Sequence, residues 1–111
     1  MNWLNLKEIK QLEAIKKESA NSPVLIFKHS TRCSISATSL ARLERNWNES
    51  QSKGIRPYYL DLIAFRSISS QIEKDYSIEH QSPQALLIKD GKCIFDSSHM
   101  AISFDEIIRH A

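Results

Sequence analysis

A cysteine in a polar segment carries the clearest chemistry in this sequence. Cys33 lies in the stretch KHSTRCSIS, which spans Lys28 to Ser36, where a hydrophobic run gives way to a helical pattern. A thiol at such a junction faces solvent near the positive end of a helix dipole, and both conditions favour the nucleophilic thiolate. Arg32, with Lys28 or His29, could add positive charge nearby. Free cysteines are often buried and inert, but these polar neighbours predict a reactive thiol.

Ser36 stands three residues after Cys33, where a dithiol oxidoreductase would carry its second cysteine. The resulting Cys-x-x-Ser pattern predicts thiol chemistry without an internal resolving partner. Two roles stay open for the Ser36 hydroxyl: it hydrogen-bonds the Cys33 thiolate, or, as an ordinary serine of the first helical turn, it satisfies a backbone N–H. In neither role can Ser36 close a disulfide.

The other cysteine, Cys93, lies 60 positions further along, in a predicted strand and on the same face as Phe95. Core packing is the favoured interpretation, because a regulatory or resolving role needs proximity to Cys33. The four histidines and two distant cysteines have no spacing typical of a zinc or haem site, so no metal is predicted. Residue types alone would allow a Cys-His hydrolase, but nothing in the chain sets such a partner relation.

The elements that must position Cys33 follow from hydrophobic periodicity. A capping box at Asn5 to Glu8 predicts that the first helix begins there. The continuous apolar run at 24–27 predicts a strand buried on both faces, and a second amphipathic helix follows Cys33 and ends before Gly54. A second strand is predicted at 56–62.

The second half of the chain supplies a helix, a hairpin and a closing helix. Four-residue spacing predicts a helix over 68–76, and a third strand is predicted at 85–88. Asp90-Gly91 then predicts a hairpin into an antiparallel strand at 92–95. Ser103, with Glu106 three residues later, predicts the cap of the last helix.

The resulting order, α-β-α-β-α-β-β-α, is the order expected for a thioredoxin-like α/β fold. A short strand around Trp3 could precede it. The fold prediction is a central mixed sheet of about four strands with helices on both faces, formed by residues 1–111 as a single domain. The carboxyl end of the first buried strand then presents Cys33.

Ser82 and Pro83 stand at the entrance to the third strand. In this architecture that position often holds a cis X–Pro bond beside the reactive cysteine, and cis is accessible to proline at modest cost. A cis bond would leave the Ser82 backbone free to pair with an extended peptide or a thiol ligand. The alternative is a trans proline that only ends a loop.

Composition narrows the function classes. A net charge of +2, without a basic run that includes aromatic residues, gives little support to nucleic-acid binding. No apolar run approaches the ~20 residues that span a bilayer, and the opening residues do not resemble a signal peptide. Two widely separated cysteines then predict a reducing, cytoplasmic location.

Three segments together resemble the YtxJ-like bacillithiol-system proteins, the monothiol bacilliredoxins. These segments are FKHSTRCSIS, HQSPQALLIKDGK, and Ser98-His99 within DSSHMAIS. The resemblance covers nearly the whole chain. It implies a cytoplasmic thioredoxin-like protein that removes bacillithiol from mixed disulfides on client proteins. By position, it implies that Cys33 is the attacking cysteine and that Ser82-Pro83 is the cis-proline element of the thiol groove.

The resemblance also sets expectations for partners. Bacillithiol would be the thiol co-substrate and bacillithiolated proteins the clients. Independently of the resemblance, the chain is expected to be a monomer. Ser34 departs from the family, which commonly has proline directly after the cysteine, and Met100 stands where the family often has an aromatic residue. Serine restores an N–H donor near Cys33 but loosens the helix start. Arg32, Ser34 and Ser36 complete the predicted site.

Two other functions are compatible with the pattern. One is an iron–sulfur carrier of the monothiol-glutaredoxin type, which typically follows its cysteine with Gly-Phe-Ser, whereas Ser34 and Ile35 stand here. The other is a thioredoxin-fold binding module whose thiol takes no part in redox chemistry. Both are ranked below thiol–disulfide exchange.

Overall fold

A computed structural model describes residues 1–111, and a five-stranded mixed sheet lies at its centre. The strands are β1 (Leu4–Asn5), β2 (Val24–His29), β3 (Arg56–Asp61), β4 (Gln84–Lys89) and β5 (Lys92–Ser98). The helices are α1 (Gln11–Glu18), α2 (Ser34–Asn46), α3 (Arg66–Tyr76) and α4 (Phe104–His110). Two short 3-10 turns, Glu49–Gln51 and His99–Ala101, complete the chain.

The strands lie in the order β1-β3-β2-β4-β5. β3 runs parallel to β1 and β2, whereas β4 is antiparallel to both β2 and β5. The sheet therefore has one strand more than the four or so predicted, because the short segment β1 pairs with Tyr58 and Tyr59 of β3. Four residues separate the carboxyl end of β2 from the start of α2, and Cys33 is the last of them, so it lies at that edge of the sheet.

The core has two layers because side chains of a strand alternate between the faces of the sheet. Val24 and Ile26 of β2 belong to the layer that includes α1 and α3. Leu25 and Phe27 belong to the layer that includes α2 and α4. Every residue of β2 is buried, including Lys28 and His29 beyond the apolar run.

The predicted start of the first helix is wrong. α1 begins at Gln11, and Asn5 lies in β1 instead of capping a helix. The Gln11 side-chain oxygen accepts hydrogen bonds from the backbone N–H groups of Lys7 and Glu8, and its amide nitrogen donates to the Asn5 carbonyl. The residues of the apparent capping box are therefore engaged in strand pairing and in hydrogen bonds with Gln11, and they do not start a helix.

A bulge in the β4–β5 hairpin overturns the predicted face of Cys93. Ile88 pairs with Cys93 and Leu87 pairs with Phe95, so Ile94 is the extra residue on β5. An extra residue reverses the alternation of faces along a strand. Cys93 consequently packs against the α1/α3 layer and Phe95 against the α2/α4 layer.

Candidate active site

Cys33 occupies the N-cap position of α2 and is a free, partly exposed thiol. Its backbone is extended (φ −117°, ψ 121°), its N–H donates to the Ser30 carbonyl at 3.2 Å, and its carbonyl accepts the Ala37 N–H at 3.1 Å. No side chain caps the helix, and no acidic residue lies in its first turn. The positive end of α2 therefore lies at Cys33, with no acidic side chain in the first turn to offset it.

Ser36 does not serve Cys33 directly. Its side chain is fully buried, and its Oγ lies 2.7 Å from His29 Nδ1 and accepts the Ser30 backbone N–H at 3.0 Å. Of the two roles left open by the sequence, the structure has the one in which the hydroxyl satisfies a backbone N–H. That N–H belongs to Ser30, the residue directly after β2, so Ser36 connects the first turn of α2 to the end of β2.

His29 faces the same layer as Ser36 and is a buried ring. Desolvation lowers the pKa of His29, against the opposing influence of the Asp61 and Glu44 carboxylates. The ring is therefore neutral near pH 7 and adds no positive charge to the Cys33 site. Its hydrogen bond with Ser36 is a feature that the sequence analysis missed, because the partner lies on a different element seven residues away.

Lys28 points to the opposite face of the sheet. Its Nζ lies 3.3 Å from the Ser69 carbonyl and 3.3 Å from His80 Nδ1, and the residue is fully buried. Desolvation lowers the pKa of Lys28 to about 8, with Glu73 acting in the other direction. No hydrogen bond joins Lys28 to Cys33, so Lys28 does not support the Cys33 thiol by direct contact, as the sequence had suggested.

Arg32 and Ser34, the neighbours of Cys33 in sequence, are both exposed. Arg32 forms no ion pair, and the side chain of Ser34 forms no hydrogen bond. Both groups are free to meet a ligand that approaches the thiol.

The Ser82–Pro83 peptide bond is cis, as predicted. Because Lys28 pairs with Gln84, these residues lie across from the end of β2, at the sheet edge where Cys33 emerges. Ser82 belongs to no strand, its backbone groups have no backbone hydrogen-bond partner, and its buried hydroxyl is also unpaired. Unpaired polar groups near a partly exposed thiol are suited to binding a ligand backbone or amide.

The turn after β5 closes the other side of this edge. His99 donates its N–H to the Pro83 carbonyl at 3.0 Å, and the His99 carbonyl accepts from Ser39 Oγ of α2 at 2.8 Å. Arg42 of α2 also donates to the carbonyls of Met100 and Ile102. The cis-proline loop is thus connected through His99 to the helix that carries Cys33.

Cys93 lies at the opposite end of the sheet from Cys33. It pairs with Ile88, which pairs in turn with Val24 at the start of β2, whereas Cys33 follows the other end of that strand. The length of β2 corresponds to about 16 Å, far beyond disulfide reach. Burial also raises the pKa of Cys93 to about 11. Cys93 therefore cannot resolve a disulfide at Cys33 within one chain.

Two further observations concern other kinds of site. No three or more His, Cys, Asp or Glu side chains come together in a way that could hold a metal ion. None of the helices has both the length and the apolar character needed to cross a bilayer.

Solved structures with this arrangement are thioredoxin-fold proteins. A protein provisionally assigned as an oxidoreductase with a thioredoxin fold is 28% identical to this chain. The match covers 96% of this chain and 91% of that protein, with a TM-score of 0.82. Thioredoxin from Fasciola hepatica is 16% identical over 96% of this chain and 98% of its own, with a TM-score of 0.75. Schistosoma mansoni thioredoxin is 18% identical over the whole of both chains, with a TM-score of 0.73. These likenesses confirm the thioredoxin-like α/β fold.

Sequence comparison identifies the family. Residues 4–107 match the family described as monothiol bacilliredoxin BrxC, a span that includes all five strands and contains Cys33, Ser36 and Ser82-Pro83. Family and fold together assign a thiol-oxidoreductase role. The chain belongs to the monothiol bacilliredoxin BrxC family.

Proposed function

We propose that this protein is a monothiol thiol–disulfide oxidoreductase that removes bacillithiol from mixed disulfides on cytoplasmic client proteins through Cys33. The observation that carries the proposal is a partly exposed thiol at the uncapped start of α2, with the only other thiol at the far end of the sheet. An external thiol is then required to complete each cycle. Bacillithiol is the co-substrate that the family relationship supports.

The first step is an exchange of disulfide partners. The Cys33 thiolate attacks the bacillithiol sulfur of the client–S–S–bacillithiol disulfide, that bond breaks, and the client leaves as a thiolate that takes up a proton. Cys33 then holds bacillithiol in a new disulfide. Attack on the other sulfur would trap the client on Cys33, so the site must present the bacillithiol sulfur.

The second step regenerates the enzyme. A second bacillithiol thiolate attacks the adduct, releases Cys33 as a thiolate, and leaves as bacillithiol disulfide, so that two electrons pass from free thiols to the client. Ser36 cannot replace this external thiol, because it has no sulfur and its hydroxyl is bound to His29 and Ser30.

The neighbouring residues have supporting roles in this scheme. The unpaired backbone groups of Ser82 bind the ligand, and Pro83 forms the wall of the groove beside Cys33. The exposed Arg32 side chain and the N–H of Ser34 supply positive electrostatic potential at the leaving sulfur. We propose that the protein acts as a monomer, because every group in this scheme comes from one chain.

Mass spectrometry of a single turnover tests the function. The protein is incubated with a bacillithiolated client, and the adduct is located on wild type, Cys33→Ser and Cys93→Ser. We expect bacillithiol on Cys33 in the wild type and Cys93→Ser, with the client released, and no transfer to Cys33→Ser. Transfer to Cys33→Ser, or a client that remains bacillithiolated with wild type, would contradict the proposal.

A further inference from the structure

A small polar pocket lies at the same sheet edge as Cys33, on the α3 side. Its volume is about 210 Å³. It is lined by Leu62, Arg66, Ser69, Ser70, Glu73 and His80. Leu62 follows the carboxyl end of β3, Arg66 begins α3, and His80 stands three residues before Pro83. The pocket therefore lies at the same end of the sheet as Cys33, and His80 places it near the loop that carries the cis-proline.

Lys28 forms a buried cation behind this pocket. Its ammonium group bonds to the Ser69 carbonyl and to His80 Nδ1, and no carboxylate lies within ion-pair distance. An ammonium has three N–H donors, so one remains unpaired in a fully buried side chain. The acidic side chain that acts on Lys28 is Glu73 of the pocket lining, which does not come within ion-pair distance of it.

The charges around the pocket fit one anionic group. Lys28 and Arg66 are cationic, and the Glu73 carboxylate is already engaged by the His80 backbone N–H at 2.8 Å. Desolvation, with Lys28 and Arg66, lowers the pKa of His80, so its ring is neutral near pH 7. Two cations and one carboxylate leave an excess of one positive charge, which a single carboxylate would balance.

We propose that this pocket, which we name the Lys28 pocket, binds a carboxylate of the low-molecular-weight thiol that exchanges at Cys33. The inference rests on the proposed function and adds the feature by which the thiol is recognised. The sulfur would lie at Cys33, the chain of the ligand would cross the Ser82–Pro83 loop, and the carboxylate would bond to Arg66, with the Lys28 charge acting from behind Ser69 and His80. A thiol without a carboxylate would lose this contact but could still exchange.

A series of disulfides tests the inference on the intact protein. Symmetric disulfides of ω-mercaptoalkanoic acids of increasing length are compared with matched ω-mercaptoalcohol disulfides, and Cys33 adduct formation is followed by mass spectrometry. In each reaction the Cys33 thiolate forms a bond to one sulfur, and the other sulfur leaves as a thiolate. We expect one range of lengths at which the carboxylate series reacts at least about tenfold faster, the effect of a charged hydrogen bond.

Variants connect that preference to the pocket. Lys28→Met and Arg66→Gln should each lose most of the preference while reacting normally with the alcohol series. Lys74→Gln removes a cation from an exposed position of the same helix outside the pocket, so it should retain the preference. Arg66 is exposed, which keeps the test valid even if Lys28→Met alters folding.

Binding without exchange separates the two proposals. Succinate is titrated into Cys33→Ser, and the amide chemical shifts of Ser69 and His80 are followed by NMR. We expect saturable shift changes in this variant and none in the double variant that also carries Lys28→Met. Absent shifts, or equal rates for both disulfide series at every length, would overturn the Lys28 pocket alone. No Cys33 adduct with either series would overturn the proposed function, and this inference with it.

Discussion

Replacing Ser36 with alanine should destabilise the fold far more than the same change at Ser34, two residues earlier. The Ser36 hydroxyl is fully buried and bonds to both His29 Nδ1 and the Ser30 N–H, so alanine leaves two buried polar groups without a partner. Each orphaned group costs about 1–3 kcal/mol, so two of them give a loss of roughly 2–6 kcal/mol in the free energy of unfolding. A domain of this size has about 5–15 kcal/mol in total.

Urea unfolding followed by circular dichroism measures this loss, with Ser34→Ala as the matched control. Ser34 is exposed and its side chain forms no hydrogen bond, so its replacement should stay within about 0.5 kcal/mol of wild type. The expected loss for Ser36→Ala corresponds to a fall in Tm of about 10 °C or more. A Ser36→Ala protein as stable as Ser34→Ala would refute the assignment of the hydroxyl to these two partners.

Three further predictions concern titratable groups. Burial raises the pKa of Cys93 to about 11, so this thiol, the one left in Cys33→Ser, should react with iodoacetamide at pH 8 about 100-fold more slowly in the folded protein than in urea. Cys33, the thiol left in Cys93→Ser, should react rapidly in the folded protein. Equal rates in the two folded variants would contradict this prediction. The lowered pKa values of His29 and His80 mean that the unfolded chain binds protons more readily, so the free energy of unfolding should fall as pH drops below 6.5, and a flat urea midpoint between pH 7 and 5 would argue against their burial. Lys28→Met should raise the urea midpoint at pH 7, because it removes a buried charge. It should also remove the gain in stability of the wild type from pH 8 to 10, because Lys28 has a pKa of about 8 in the folded protein and loses its proton at lower pH than in the unfolded chain. An unchanged pH profile would count against the burial of a charged Lys28.

Local sequence signals predicted the elements whose contacts are local. The Asp90-Gly91 hairpin and the Ser103 cap both formed, and the Ser103 hydroxyl accepts the Glu106 N–H at 3.1 Å. The capping box at Asn5 failed because pairing with β3 outweighed a helix start that has the same residues. The strand β2 also continues through Lys28 and His29, so a prediction based on the apolar run alone ends this strand two residues too early.

The parts of the site that the sequence did not predict depend on contacts between distant elements. The Lys28–His80 contact joins residues 52 positions apart. The bulge at Ile94 has no turn residue to announce it, yet it decides which layer receives Cys93. Cys33, by contrast, could be placed from the sequence because the strand–helix junction is itself a local pattern.

The separation of the two cysteines by the length of β2 has a kinetic consequence for the proposed cycle. Without a second thiol in reach, an adduct on Cys33 persists until a free thiol collides with it, so its lifetime varies inversely with the concentration of that thiol. The fraction of protein carrying the adduct would then rise whenever the supply of reduced thiol falls. A single-cysteine site of this kind reports the redox supply of its surroundings through its own occupancy.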